Sequence, residues 1–322
     1  MVTTATEVSK GIPYTAIPFD TNNREEWLAL RDKGIGGSDA SIAAGLNPYK
    51  TPYELYMEKT GQLKPEDLSN NERVHFGNVL EDVVAQEYVR RRTEREDREI
   101  KVRRVNRILQ SKQHPFMLAN LDRDVVGEPR LLECKTADVY AAKPELWGEE
   151  FTDEVPEHYL IQTQHYMSVT GYEVADLAVL IGGNTYRQYT IERNENLITN
   201  LIMIEADFWD RIKKGTPPEI DYLAPSTYDM LKRLYPGTNG ETIELAPELA
   251  AWVQTMNQAA ERVKQYEAVK SGAKNHILAE MGEAAIAHIP GIEGGFTRKI
   301  VNRKGFEVDA TSYIDFRYSK KA

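Results

Sequence analysis

Along the first ninety residues, apolar side chains recur at the three- and four-residue intervals of amphipathic helices. Trp27, Leu28 and Leu30 give one side of a helix over 24–33, which Gly34, Gly36 and Gly37 break. Ser38 stands where it can cap a second helix, running through Ile42 and Ala43 to a stop at Gly45. Thr51-Pro52 supplies an N-cap residue and a first-turn proline, and predicts a third helix ended by Gly61. After a polar linker at 62–70, the stripe Phe76, Leu80, Val83, Val84 and Tyr88 predicts a longer helix over 71–92, with Glu81 beside it. Residues 1–20 lack any such period and are expected to be irregular.

The period then shortens to two. Residues 100–109 alternate like a strand, 116–121 with 124–126 read as a second, and 131–135 as a third after a turn at Gly127-Glu128-Pro129. A helix over 156–170 stops at Gly171, and an apolar strand over 174–181 faces a partner over 185–191 across Gly182-Gly183-Asn184. Residues 195–214 form an amphipathic helix with a basic tail. Pro217, Pro218, Pro225, Pro236 and Gly237 mark a connection, and we place a domain boundary at 224/225. Beyond it, Leu249, Trp252, Val253, Met256, Ala260 and Val263 predict a helix over 247–270, followed by short strands near 284–289, 296–301 and 312–317. The order predicts an α/β domain over 1–224, a mixed central sheet flanked by helices, and an α+β C-terminal extension over 225–322.

Composition narrows the function classes. The chain has 322 residues, 41% hydrophobic and 28% charged, enough for a full core. No apolar run approaches the ~20 residues of a membrane span, no secretory leader is evident, and a cytoplasmic setting is expected. One cysteine, Cys134, excludes an internal disulfide or a four-cysteine metal site within the chain. The six histidines show no zinc-type spacing. Gly34-Ile-Gly-Gly-Ser follows a helix rather than a strand, so it is not a dinucleotide loop, and no phosphate-loop Gly-Lys-Ser/Thr occurs. The net charge of −10 argues against indiscriminate coating of nucleic acid. Nine basic residues between Arg90 and Arg107 still concentrate positive charge, as a solvated helix end and strand face open to DNA phosphate.

One segment carries candidate chemistry. Glu133 and Lys135 are two apart on a strand and project together, while Cys134 points the other way. Pairing through the turn at 127–130 brings Asp122 near them. Two carboxylates suit magnesium, which keeps most of its waters, and a lysine beside them can orient or deprotonate an attacking water and offset phosphate charge. Taken alone, Asp, a gap and Glu-X-Lys make an ordinary solvated strand face. The apolar flanks Leu131-Leu132 and Thr136-Ala137 instead make a buried strand that emerges at the charged residues.

Together with LRDKGIGGSDA (30–40), GNVLE (77–81), MLANLD (117–122), LECKT (132–136) and YLIQTQHYMSVTG (159–171), these residues resemble the YqaJ-type viral recombinases. These are relatives of phage lambda exonuclease in the PD-(D/E)xK nuclease superfamily. The resemblance starts at Trp27 and covers roughly the first 215 residues. It implies a restriction-endonuclease-like core and a 5′→3′ exonuclease on linear double-stranded DNA ends, making 3′ single-stranded tails. It implies Mg2+, with Mn2+ as a substitute, held by Asp122, Glu133, the Cys134 carbonyl and, further out, Glu81. Lys135 would be the catalytic lysine, Gln162 would orient the lysine or water, and Arg31, Ser38 and Asn120 would bind the 5′-phosphate. It implies as partners a phage single-strand annealing protein and further copies of the chain in a trimeric ring, in a bacterial host cytoplasm if the chain is phage-encoded.

Several positions stay open. Asp124 follows Asp122 by two and could share its role. Gln162 and Gln164 cannot both face one point on a helix, and Gln162 is chosen. Arg31 and Ser38 also read as a surface arginine and a helix cap. Tyr49, in the turn Asn47-Pro48-Tyr49, could be an exposed wedge near a DNA end. Rival functions are an endonuclease or nickase on the same fold, a DNA-end binder without catalysis, and a structural protein.

Overall fold

The computed structural model describes residues 12–21, 23–139 and 146–302. The chain divides into two compact units, 1–235 and 236–322. Of the two caps expected from the sequence, Thr51 forms and Ser38 does not, and Asn23 supplies one that was not expected. Arg24–Arg31 (α1) begins where Asn23 accepts the Glu26 N–H, and Pro52–Lys59 (α3) where Thr51 accepts that of Glu54. Between them Gly37–Ala43 (α2) differs. Its cap is Gly36, not Ser38, because the Asp39 carboxylate accepts the Gly36 N–H at 3.1 Å and closes the turn two residues earlier.

The helix over Glu72–Glu96 (α4) packs only part of its stripe. Val84, Ala85 and Tyr88 are buried, while Phe76 and Val83 are exposed. The segment Tyr14–Pro18 (β1), expected to be irregular, is a strand; its isolated short alternation gave no signal without its partner. That partner is part of the expected strand 100–109, which breaks in two. Val102–Arg104 (β2) joins a five-stranded sheet, and Arg107–Ser111 (β3) joins a second sheet with β1. The segment 116–126 divides the same way, into Leu118–Ala119 (β4), beside β3, and Arg123–Val125 (β5), beside β2. Asn120, Leu121 and Asp122 are the crossing between the sheets.

The main sheet runs β2-β5-β6-β7-β8, where β6 is Arg130–Ala137, β7 Val174–Ile181 and β8 Thr185–Glu192. All neighbours are antiparallel except β6 and β7, which lie parallel and therefore need a crossover. Glu157–Thr170 (α5) provides it. The two faces of β6 and β7 are both covered. Leu131, Ala175, Leu177 and Val179 pack with Tyr166, Met167 and Val169 of α5, and Leu132, Cys134 and Ala178 pack with α4. This is the mixed α/β sandwich expected from the sequence.

A third cluster joins α2 and α3 to Glu195–Lys214 (α6) and Pro225–Leu234 (α7) through Ala40, Leu55, Leu201, Phe208 and Met230. Helix α7 is why the first unit runs eleven residues past the expected boundary: Met230 is buried, and Arg233 pairs with Glu54 at 2.6 Å and Glu58 at 2.9 Å. In the second unit, a 3-10 turn at Pro247–Leu249 leads into Ala250–Met281 (α8), which buries none of its residues. Ile286–Ala287 (β9) pairs antiparallel with Phe296–Thr297 (β10). The strand expected near 312–317 lies outside the described residues. Among the described residues no helix is long and apolar enough to cross a membrane.

Candidate active site

Strands β5 and β6 pair at only two positions, Arg123 opposite Leu132 and Asp124 opposite Leu131. Past Leu132 the chain before β5 turns away, and the Asp122 side chain replaces a strand partner. Its Oδ2 accepts the Cys134 N–H at 2.8 Å. A strand residue presents its carbonyl to the same edge as its own N–H, so the Cys134 carbonyl points to the side where Asp122 stands. The Cys134 thiol goes to the α4 face. Glu133 and Lys135, one residue either side, project to the α5 face.

There Gln162 of α5 meets both. Glu133 Oε1 accepts from Lys135 Nζ at 2.7 Å and from Gln162 Nε2 at 2.7 Å, and Gln162 Oε1 accepts from Lys135 at 3.1 Å. The Tyr166 hydroxyl, one turn along α5, accepts a further bond from Gln162 Nε2 at 3.1 Å. The amide is thereby oriented: reversed, its NH2 would face the ammonium. Both donors converge on Oε1, and Glu133 Oε2 is left buried without a hydrogen-bond partner. A bare buried carboxylate oxygen is costly unless a cation or water completes it.

The electrostatics agree. Burial, then the charge of Glu133, pushes the Asp122 carboxyl well above the usual range, against the pull of Lys135. Burial works against the Lys135 ammonium, but Glu133, Tyr159 and Asp122 outweigh it and hold the lysine charged. Its Nζ lies 4.8 Å from the centre of the Tyr159 ring. The donor set suits a hard divalent cation: two carboxylates, one with an orphaned oxygen, and a backbone carbonyl on the same side. Among the described residues no group of three or more His, Cys, Asp or Glu side chains is placed to hold a metal ion by itself.

Asp122 and Glu133 line a pocket of about 190 Å³. Arg31, Ser38, Asn120, Trp27 and Gly37 line it as well, so the residues expected to hold a terminal phosphate and those expected to hold the metal share one cavity. The Arg31 guanidinium lies 4.7 Å over the Trp27 ring. Gly37 is where α2 touches α5: a Cβ there would lie 2.4 Å from Tyr166 Cε1 and 3.0 Å from Gln162 Cγ.

Other candidates are placed elsewhere. Glu81, expected further out, is held by the buried Arg123 guanidinium with Arg104 3.9 Å away, and its charge still adds to the upward push on the Asp122 carboxyl. Asp124 is taken up by Arg103 at 2.6 Å and the Tyr172 hydroxyl at 2.8 Å, since Arg103 lies directly across from it in the sheet. Gln164 caps backbone groups of Glu192 and Asn194. The basic stretch is largely consumed internally: Arg90 and Arg91 pair with Glu87, Arg92 with Glu96 and Glu128, and Arg98 with the same two acids. His165 is buried between Glu205 and the Leu118 carbonyl, a structural role. Tyr49 is 73% exposed and meets His158 edge-on.

Sequence reasoning missed Tyr166 and Asp39. Tyr166 is four residues past Gln162, so it shares its helix face, and that spacing was a usable signal. Asp39 is adjacent to Ser38, but its turn toward Lys59 of α3 is a tertiary fact without a local mark.

The model for the YqaJ-like viral recombinase domain matches residues 26–173. Uncharacterized protein YqaJ of Bacillus subtilis (strain 168) is 38% identical over 284 residues, 87% of this chain and 85% of that one. Among solved structures, the alkaline exonuclease LHK-Exo from Laribacter hongkongensis is 17% identical, matching 64% of this chain and 99% of its own with a TM-score of 0.45. A phage-related exonuclease from Haemophilus somnus 129PT is 15% identical, matching 56% of this chain and 96% of its own, with a TM-score of 0.41. On the extent of the match to the Bacillus protein, the chain belongs to the YqaJ-like viral recombinase family.

Proposed function

We propose that the protein is a metal-dependent nuclease that degrades linear double-stranded DNA 5′→3′ from an end and leaves 3′ single-stranded tails. The observation that carries this reading is the buried, unpartnered Glu133 Oε2, on a carboxylate that lines one pocket with Asp122 and is bonded through Oε1 to Lys135 and Gln162. Asp122, Glu133 and the Cys134 carbonyl would hold a magnesium or manganese ion, which supplies a Lewis acid for a phosphoryl oxygen and acidifies a bound water. The protein's own groups do the rest. Gln162 fixes the Lys135 ammonium, which offsets charge building on the phosphate and positions the attacking water. Arg31, Ser38 and Asn120, which line the same pocket, hold the terminal 5′-phosphate and so place the bond to be cut near the carboxylates.

Family membership supports a recombination setting, with a phage single-strand annealing protein to receive the tail and a ring of chains to keep hold of the duplex. The deciding experiment uses duplex labelled at the 5′ or the 3′ end, incubated with magnesium or with chelator, beside a covalently closed circle. Early release of the 5′ label, only with metal and never from the circle, is expected. Cutting of the circle would point to an endonuclease on the same fold, and end binding without any cleavage to a non-catalytic relative.

A further inference from the structure

Behind Arg31 lies an ion triad that the chemistry above does not use. Asp39 is only 6% exposed. Its Oδ2 accepts from Lys59 Nζ at 2.9 Å and from the Gly36 N–H at 3.1 Å, while Oδ1 stands 3.6 Å from Arg31 Nη2. Lys59 comes from α3, is as buried as Asp39, and also donates to the Arg31 carbonyl at 2.9 Å.

A buried carboxylate facing a lone arginine would draw the guanidinium into a close, two-pronged pair and cancel it. Here the closer partner is Lys59. The triad carries one net positive charge, and the cation with the looser grip and the greater exposure is Arg31. Burial pushes the Asp39 carboxyl up, yet Lys59, Arg31 and the Gly36 N–H bring it below its ordinary value, so it stays ionised.

We propose that Asp39 and Lys59 are a positioning pair for the recognition of a terminal phosphate monoester on DNA: Asp39 aims Arg31 at the pocket, and Lys59 keeps Asp39 from capturing it. The inference rests on the reading of Arg31 as the terminal-phosphate residue. Neither Asp39 nor Lys59 touches the DNA, and both act through Arg31.

The test is binding rather than cleavage. Fluorescence anisotropy in chelator measures the affinity ratio between otherwise identical duplexes ending in 5′-phosphate and 5′-hydroxyl. Wild type is expected to favour phosphate by about tenfold or more, the scale of a charge-assisted contact. Asp39→Asn and Lys59→Gln should each lower the ratio to that of Arg31→Ala, and Lys59→Arg should restore it. Adding Asp39→Asn to Arg31→Ala should change the ratio less than twofold. Using a ratio cancels general losses of affinity, and melting curves certify folding; if Asp39→Asn does not fold, Lys59→Gln carries the test. The proposal is overturned if wild type shows no ratio, or if folded Lys59→Gln keeps the wild-type ratio. A protein that discriminates ends in chelator but never cleaves with magnesium upholds the positioning pair and defeats the nuclease reading.

Discussion

Replacing Gly37 with alanine tests whether the helix carrying Ser38 and the helix carrying Gln162 must touch backbone to ring. The added methyl carbon would sit 2.4 Å from Tyr166 Cε1, 2.6 Å from Cζ and 3.0 Å from Gln162 Cγ. Ordinary contact begins near 3.4 Å, so α2 and α5 would have to part by about 1 Å. Two effects oppose each other. Alanine is a better helix former than glycine by up to about 1 kcal/mol, whereas overpacking costs about 1–3 kcal/mol. The clash wins because its partners are ring atoms of a buried tyrosine, not the free end of a flexible chain. A net loss of about 1–2 kcal/mol corresponds to a fall in Tm of roughly 2–8 °C for a unit of this size.

Activity should suffer more than stability. Gln162 orients both Glu133 and Lys135, and a misplacement of about 1 Å in such a group costs on the order of 100-fold in rate. The assay pairs a thermal melt with the initial rate of label release from a linear duplex. Adding Tyr166→Leu, which removes Cε1 and Cζ, should recover the melting temperature but not the rate, because the hydroxyl that holds Gln162 is gone. A Gly37→Ala protein that melts at or above wild type and cuts within twofold of it would refute the argument.

Further outcomes follow from the same geometry. Asp122→Asn should lower cleavage by at least about 100-fold while duplex ends bind in chelator as tightly as before or tighter, since one negative charge leaves the site; loss of binding measured by anisotropy would count against the assignment. Magnesium at about ten times its Kd should stabilise wild type by about 1.4 kcal/mol in thermal melts and leave Glu133→Gln unmoved; equal shifts in both would place the ion elsewhere. His158 is pushed down to about 4, by burial first and then by the charge of Lys135. Between pH 6.5 and about 4 the unfolded chain therefore binds a proton that the folded chain refuses, so stability should fall as the pH drops through that window. His158→Asn should flatten that stretch of the denaturation profile, and an unchanged slope would remove His158 as its source.

Much of the site could be read from the chain because its logic is local. Strand alternation puts Glu133 and Lys135 on one face, and β7 forms over the residues its apolar run predicted. Gln162 rather than Gln164 reaches them, as a helix turn requires of residues two apart. What stayed hidden depends on partners distant in sequence. The alternation over 100–109 is continuous, yet its two halves join different sheets, because β1 from the N-terminal segment claims one and β5 the other. The parity rule made Asp124 a companion of Asp122, but Asp122 precedes its strand and escapes the rule, while Asp124 inside the strand meets Arg103. The exposed Phe76 and Val83 show the same limit: helical spacing finds a stripe without saying how much of it the sheet covers.

The shortness of the β5–β6 ladder constrains how the protein can be improved. Extending that pairing by one residue would make a more regular sheet, and an engineer seeking heat resistance would be drawn to it. It would also hand the Cys134 amide to a backbone carbonyl and evict the carboxylate that now holds it. On the proposed nuclease reading, hardiness and catalysis compete at this edge. Amide hydrogen exchange would make the bargain visible: the Cys134 N–H is shielded by an acid side chain rather than by a neighbouring strand, so its protection should vanish in Asp122→Ala while the amides of β6 that bond to β7 keep theirs.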